Sequence, residues 1–216
     1  PAEGLKISWR TPVGLGWSSP VVADGRVFVT DSQMLKPTAK ERVLCFEEAA
    51  GKLLWFYDYD VVYPEWAYVH GQGGEPSATP IVDGDKIYAL GPSGHLHCLH
   101  VRTGELIWKR KLNKEFQINE LSCRSSPLIE GNLLIVFTGA KPGASVLALD
   151  KATGDDVWKA LDDPVSNSSP VVIEAGGARQ LIVWSGEAVT SLNPATGATY
   201  WREPMVTSNN DAIPTP

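Results

Sequence analysis

Val146–Trp158 reads VLALDKATGDDVW, and the rest of the chain repeats it. Val146–Leu149 is a short apolar run suited to a buried strand. The Asp150 carboxylate can accept backbone N–H groups two or three residues ahead, Thr153 adds a hydroxyl, and Gly154 tolerates φ > 0. The chain is therefore expected to turn tightly and return as a second strand ending on Trp158. The phrase recurs as VLCFEEAAGKLLW ending at Trp55, LHCLHVRTGELIW ending at Trp108, and VTSLNPATGATYW ending at Trp201. In each copy the tryptophan falls four residues after a glycine: Gly51, Gly104, Gly154 or Gly197.

A second phrase alternates with the first. Ser18-Ser19-Pro20-Val21-Val22 leads through Asp24-Gly25 to Val27–Thr30, the pattern of a hairpin with a two-residue turn. It returns at Ala78-Thr79-Pro80 with Asp83-Gly84, at Ser125-Ser126-Pro127 with Gly131-Asn132, and at Ser168-Ser169-Pro170 with Gly176-Gly177. Together the phrases define four-stranded meanders with a period of about 43 to 60 residues, and no long helical periodicity interrupts them. Repetition at that spacing predicts an all-β fold, a β-propeller of four-stranded antiparallel blades. The approximate blades are 17–58, 77–111, 124–161 and 167–203, within one propeller segment spanning 1–216. Leu5–Arg10 reads as the closing strand of an earlier unit, with Trp9 in the tryptophan place, and Pro214–Pro216 as the opening of a later one. Partial blades at 1–16 and 204–216 make the expected architecture an open segment of a seven- or eight-bladed propeller.

The repeated tryptophans have a physical reason. A twisted sheet cannot bury both faces alone, so blades stack about an axis and leave wedges between them. An indole can fill such a wedge and bury roughly 150–250 Å². Trp9, Trp55, Trp108, Trp158 and Trp201, with their glycines, are thus read as structural pegs.

Composition removes several functions. The 216 residues carry a net charge of −6 with no basic cluster, which argues against nucleic acid as a partner. No apolar run is long enough to span a bilayer. Cys45, Cys98 and Cys123 lie far apart without CxxC spacing and read as small apolar strand residues. His95, His97 and His100 flank Cys98, but strand alternation puts His95 and His97 on one face and Cys98 on the other. No metal site is assigned. No nucleophile motif, phosphate loop or HExxH occurs, so no catalytic residue is assigned either.

Candidate binding residues follow from the propeller geometry. The first strand of each unit should be innermost, with its polar start facing the axial channel. That places Trp17-Ser18-Ser19, Ser77-Ala78-Thr79, Arg124-Ser125-Ser126 and Asn167-Ser168-Ser169 around it, with Trp17, Ser18, Arg124, Ser125, Asn167 and Ser168 as the ligand candidates and Arg124 suited to a carboxylate. The alternative role of the serines is to satisfy N–H groups at strand starts, and Arg124 could equally bond strand-end carbonyls. The long connection Phe56–Pro76 departs from the repeat and holds Tyr57, Tyr59, Tyr63, Trp66, Tyr68, His70 and Glu75 around a glycine-rich stretch. Trp66, His70 and Glu75 are its loop candidates, for a flat ligand or a partner, unless the aromatics only pack over the next blade.

The phrase from Ala148 to Trp158 resembles the tryptophan-docking motif of the pyrroloquinoline quinone (PQQ) repeat family of β-propellers. The copies at Ala188–Trp201 and His95–Trp108 agree with it. The first copy departs, carrying Glu47 where Asp150 stands and Ala50 where Thr153 stands, which should weaken its turn. The style is similar to secreted bacterial members, including BamB-like relatives. The resemblance implies a non-enzymatic, exported scaffold of the periplasm or cell envelope, made behind a signal segment. It would bind a protein partner or small ligand at the propeller mouth, next to the remaining blades of the same protein. The alternative it implies is part of a PQQ-dependent alcohol or sugar dehydrogenase with quinone and calcium on the axis. That family brings an adjacent cysteine pair, a calcium-binding carboxylate and a catalytic Asp, none of which can be matched here.

Overall fold

The computed structural model describes residues 4, 6–69, 75–206 and 212. They form four separate four-stranded sheets. The first holds β1 (Val21–Ala23), β2 (Arg26–Leu35), β3 (Thr38–Glu47) and β4 (Leu53–Val61). The second holds β5 (Ile81–Asp83), β6 (Lys86–Leu90), β7 (His95–His100) and β8 (Leu106–Lys111). The third holds β9 (Leu128–Glu130), β10 (Leu133–Ala140), β11 (Ala144–Asp150) and β12 (Asp156–Ala160). The fourth holds β13 (Val171–Ala175), β14 (Ala178–Trp184), β15 (Ala188–Leu192) and β16 (Thr199–Pro204). Each sheet runs in sequence order with antiparallel neighbours, and β1 touches β5 as β5 touches β9. This is an open propeller segment of four blades. One short helix, α1 (Leu112–Glu115), and a 3₁₀ turn, Glu65–Tyr68, are the helical elements among the described residues.

Local chemistry sets the turns. Asp24 and Gly25 both take positive φ, as a tight two-residue hairpin turn requires. At the signature bend, Asp150 Oδ1 accepts from the Ala152 and Thr153 N–H groups at 2.7 and 3.1 Å, and Gly154 sits at φ 82°. Asn193 repeats the cap on Ala195, and the His100 Nδ1 accepts from Arg102 N–H in the same position. The Glu47 copy is held by backbone bonds, Gly51 N–H to Glu47 O and Glu47 N–H to Lys52 O.

One feature of the tryptophan strands has no sequence signature. In all four sheets the register slips by one residue beside the tryptophan, leaving Leu54, Ile107, Val157 and Tyr200 as bulges. A bulge re-aims the side chain that follows it. Here the bulged residues are exposed while the indoles of Trp55, Trp108 and Trp158 turn toward the next blade. A Cβ on Gly104 would lie 2.6 Å from the Trp55 ring, on Gly154 2.8 Å from Trp108, on Gly197 2.6 Å from Trp158, and on Gly51 2.5 Å from Trp9. Each indole N–H also donates across the seam: Trp9 to Glu48 O (2.7 Å), Trp55 to Val101 O (3.1 Å), Trp108 to Lys151 O (3.2 Å) and Trp158 to Pro194 O (3.0 Å).

The apolar cores lie between blades. Tyr88, Leu90 and Leu96 pack with Leu134, Val136 and Leu147 between the second and third. Ile135, Phe137 and Val146 meet Leu181, Val183 and Leu192 between the third and fourth, and Phe28, Val43 and Cys45 meet Ile87 and Leu99 between the first and second.

Several expectations are corrected. Lys6–Arg10 is not a strand, because no neighbouring strand pairs with it among the described residues. Leu5 and Pro214–Pro216 lie outside the described residues. Trp201 is 43% exposed and bonds Gln180 Oε1 within its own sheet, since no described glycine bend faces it. Phe56–Val61 belongs to β4, so Tyr57 and Tyr59 are strand residues and the connection starts at Val62. Cys123 precedes β9 and is not in a strand.

Candidate functional site

The starts of the four inner strands are linked in series. Ser19 N–H donates to Thr79 Oγ1 (3.1 Å), Thr79 N–H to Ser126 Oγ (3.0 Å), and Ser126 N–H to Ser169 Oγ (2.9 Å). Each hydroxyl thus satisfies the preceding blade's strand start, which would otherwise lack a ladder partner. Beside this series is a cavity of about 480 Å³ lined by Trp17, Glu75, Ser77, Arg124, Ser126, Asn167 and Ser169.

Three expected channel residues, Trp17, Arg124 and Asn167, are brought together there, and Glu75 joins them from the connection. Ser18, Ser125 and Ser168 are not in the wall. Successive residues of an extended chain point to opposite sides, so their neighbours face the axis instead. Ser125 Oγ is buried and donates to Ser168 O at 2.7 Å; Ser18 Oγ donates to Thr30 O at 2.9 Å. Trp66 lies in the 3₁₀ turn and does not line the cavity. His70 lies outside the described residues.

Trp17 is the most open part of the wall, 71% exposed, and its backbone N–H donates to Pro76 O at 2.8 Å. Glu75 is 5% exposed. Arg124 Nε donates to Leu121 O at 3.3 Å. The wall therefore offers an aromatic face, an acid, a base and several hydroxyl and amide groups.

A second polar cluster lies between the first two blades, and sequence reading missed it as a unit. Glu41 of β3 is buried and accepts hydrogen bonds from the hydroxyls of Tyr59 and Tyr63, the latter at 2.6 Å. Burial lifts its carboxyl to about 6, against the opposing pull of those two hydroxyls. His97 packs its ring 4.2 Å from that of Tyr59, with His95 alongside. Burial, then the nearby positive charge of His95, Lys109 and Lys111, holds His97 down to about 3. Gly91 of the second blade leaves room for Glu41, since a Cβ there would meet its Oε2 at 2.0 Å. The clue available in sequence was the pair of histidines on one face; their partners become visible only from strand register and blade stacking.

Calcium takes six to eight oxygen ligands, several of them carboxylates. Glu75 is the one carboxylate of the described cavity wall, and no group of three or more His, Cys, Asp or Glu able to hold a metal occurs among the described residues. The three cysteines are buried singly, and burial raises their thiols, Cys98 and Cys123 to about 12. The residues present do not fit a calcium–quinone centre. No helix among the described residues is long and apolar enough to cross a membrane.

Four-stranded blades joined by this bend, around a polar axial cavity, define a propeller of the PQQ-like repeat class. The chain belongs to the family described as outer membrane protein assembly factor BamB, whose model matches residues 2–122 and 39–213. It is 29% identical over 175 residues to the outer membrane protein assembly factor BamB of Burkholderia pseudomallei (strain K96243), covering 65% of this chain and 45% of that protein. It is 27% identical over 219 residues to the quinohemoprotein alcohol dehydrogenase ADH IIB of Pseudomonas putida, covering 93% of this chain and 29% of that enzyme. The crystal structure of BamB from Moraxella catarrhalis superposes with a TM-score of 0.59 at 15% identity, over 94% of this chain and 54% of that one, a likeness of fold alone. The chain thus spans less than half the length of either curated relative.

Proposed function

We propose that this chain is part of a non-enzymatic propeller scaffold of the periplasm or cell envelope, which receives a protein partner at its axial mouth. The observation that carries the reading is the cavity of about 480 Å³ with the exposed Trp17 indole at its wall beside Glu75 and Arg124. Large aromatics and arginine in a concave site are the usual anchors of protein recognition. The seams support the same reading. Indoles seated on glycines support a tryptophan-docking arrangement and a rigid frame, which we take to have seven or eight blades in the whole protein and on which a site can be held open. Kinship with outer membrane assembly factors supports an envelope setting.

The test uses the intact protein in cells, with a photo-crosslinking residue at position 17 and, as control, at Val157. A discrete protein adduct from position 17, absent at Val157 and lost in Arg124→Ala, is the expected result. Titration with PQQ and calcium, followed by absorbance and dye reduction, tests the dehydrogenase alternative raised by the Pseudomonas relative. A saturable quinone spectrum with turnover would overturn the scaffold reading.

A further inference from the structure

Two side-chain atoms at the axial cavity have no hydrogen-bond partner. Glu75 is 5% exposed, and its Oε2 is buried and unbonded; Ser77 Oγ is in the same condition. Both residues line the cavity beside Trp17. Seven buried side-chain atoms lack a partner among the described residues, and two of them stand in this one wall, two positions apart. A buried acceptor without a donor bears the full cost of leaving water, and folded proteins seldom keep one without a ligand or a functional reason.

We propose that Glu75 and Ser77 receive a basic side chain, lysine or arginine, from the protein segment that docks at the axial mouth. The proposal rests on the scaffold reading above and names the chemistry of its site. A carboxylate oxygen only accepts, and a hydroxyl accepts as well as donates, so the pair calls for a ligand rich in donors. An ammonium or guanidinium supplies several donors from one group, and its bonds to a carboxylate are about twice as strong as neutral ones. Trp17, whose backbone N–H is tied to Pro76 O next to Glu75, presents an exposed indole that adds an attractive face for a cation. Arg124 also lines the cavity, so directed bonds rather than net charge must hold the incoming cation.

The experiment compares three probes on the intact protein: acetyl-Gly-Lys-Gly-amide and its norleucine and acetyl-lysine counterparts. Binding is followed by ligand-observed NMR and by quenching of tryptophan fluorescence. The lysine peptide is expected to bind at least tenfold more tightly than either counterpart. Glu75→Gln should bring it to their level, while Glu75→Asp, which keeps the charge but shortens the arm, retains part of the preference. A preference below threefold, or one unchanged in Glu75→Gln, overturns the proposal. Thermal melting of both variants shows that a loss is local. Should the crosslink from position 17 persist in Glu75→Gln while the lysine preference is missing in the parent protein, the scaffold reading stands and the basic-side-chain assignment falls. No adduct from the parent protein would remove the scaffold reading itself.

Discussion

Trp158→Ala tests the seams most directly. The indole is 8% exposed, lies against Gly197 of the fourth blade and donates to Pro194 O at 3.0 Å. A buried indole hides about 150–250 Å², which at roughly 25 cal/mol/Å² amounts to about 4–6 kcal/mol of apolar transfer. Partial collapse of the seam reduces the cost, and the unpaired Pro194 carbonyl adds about 1 kcal/mol. The expected loss is about 3–5 kcal/mol, as for large buried aromatics generally. Urea unfolding of the intact protein, followed by circular dichroism, reads it as a shift in midpoint at constant slope. Val157→Ala is the internal control. Val157 is the neighbouring bulge residue, 52% exposed, and should cost about 1 kcal/mol or less. A Trp158→Ala loss below 1 kcal/mol, or one equal to that of Val157→Ala, would refute the docked seam.

Gly197→Ala puts a Cβ 2.6 Å from the Trp158 ring at a φ of 73°, so it should cost about 2–4 kcal/mol, and less in a Trp158→Ala background; a double-mutant cycle in urea checks this. Asp31→Ala strips both bonds from Arg42 (2.7 and 2.5 Å) and the Gly14 N–H of its acceptor, and should destabilise by about 3–5 kcal/mol by the same measurement. Ser126→Ala leaves Thr79 N–H without its partner and should cost about 1–3 kcal/mol, with faster hydrogen exchange at the Thr79 amide as the local readout. Acid should also weaken the fold. Between about 6.5 and 3 the unfolded chain takes up a proton that buried His97 refuses, so stability falls as pH drops through that window. Glu41 works the other way, because its carboxyl titrates at about 6 when folded and lower when unfolded, adding stability between those values. His97 has the wider window, so melting temperature should fall below pH 6.5, less steeply in His97→Gln and more steeply in Glu41→Gln. Scanning calorimetry from pH 7.5 to 4 with unchanged profiles in both variants would contradict the buried cluster.

Much of the architecture was legible because its causes are local. Asp150, Thr153 and Gly154 set a bend with their own side chains and φ, and Asp24-Gly25 sets a hairpin in the same way. Repetition of those bends gave the four sheets. Trp17, Arg124 and Asn167 were also within reach, because the inner strand's polar start follows from blade order. The choice of Ser126 over Ser125 was not, since a one-residue change of register reverses which side chain faces the axis.

The bulge before each tryptophan, the exposure of Trp201, and the meeting of Glu41, Tyr59, Tyr63 and His97 across one seam were decided only in three dimensions. The sequence by itself determined that antiparallel meanders recur with a glycine bend and an indole. Tertiary packing decided what each indole rests on, which hydroxyls link the inner strand starts, and that Glu75 Oε2 and Ser77 Oγ are left buried without a partner. The physical reason is range. Turn conformations depend on neighbours along the chain, whereas burial and hydrogen-bond partnership depend on which blade stands beside which.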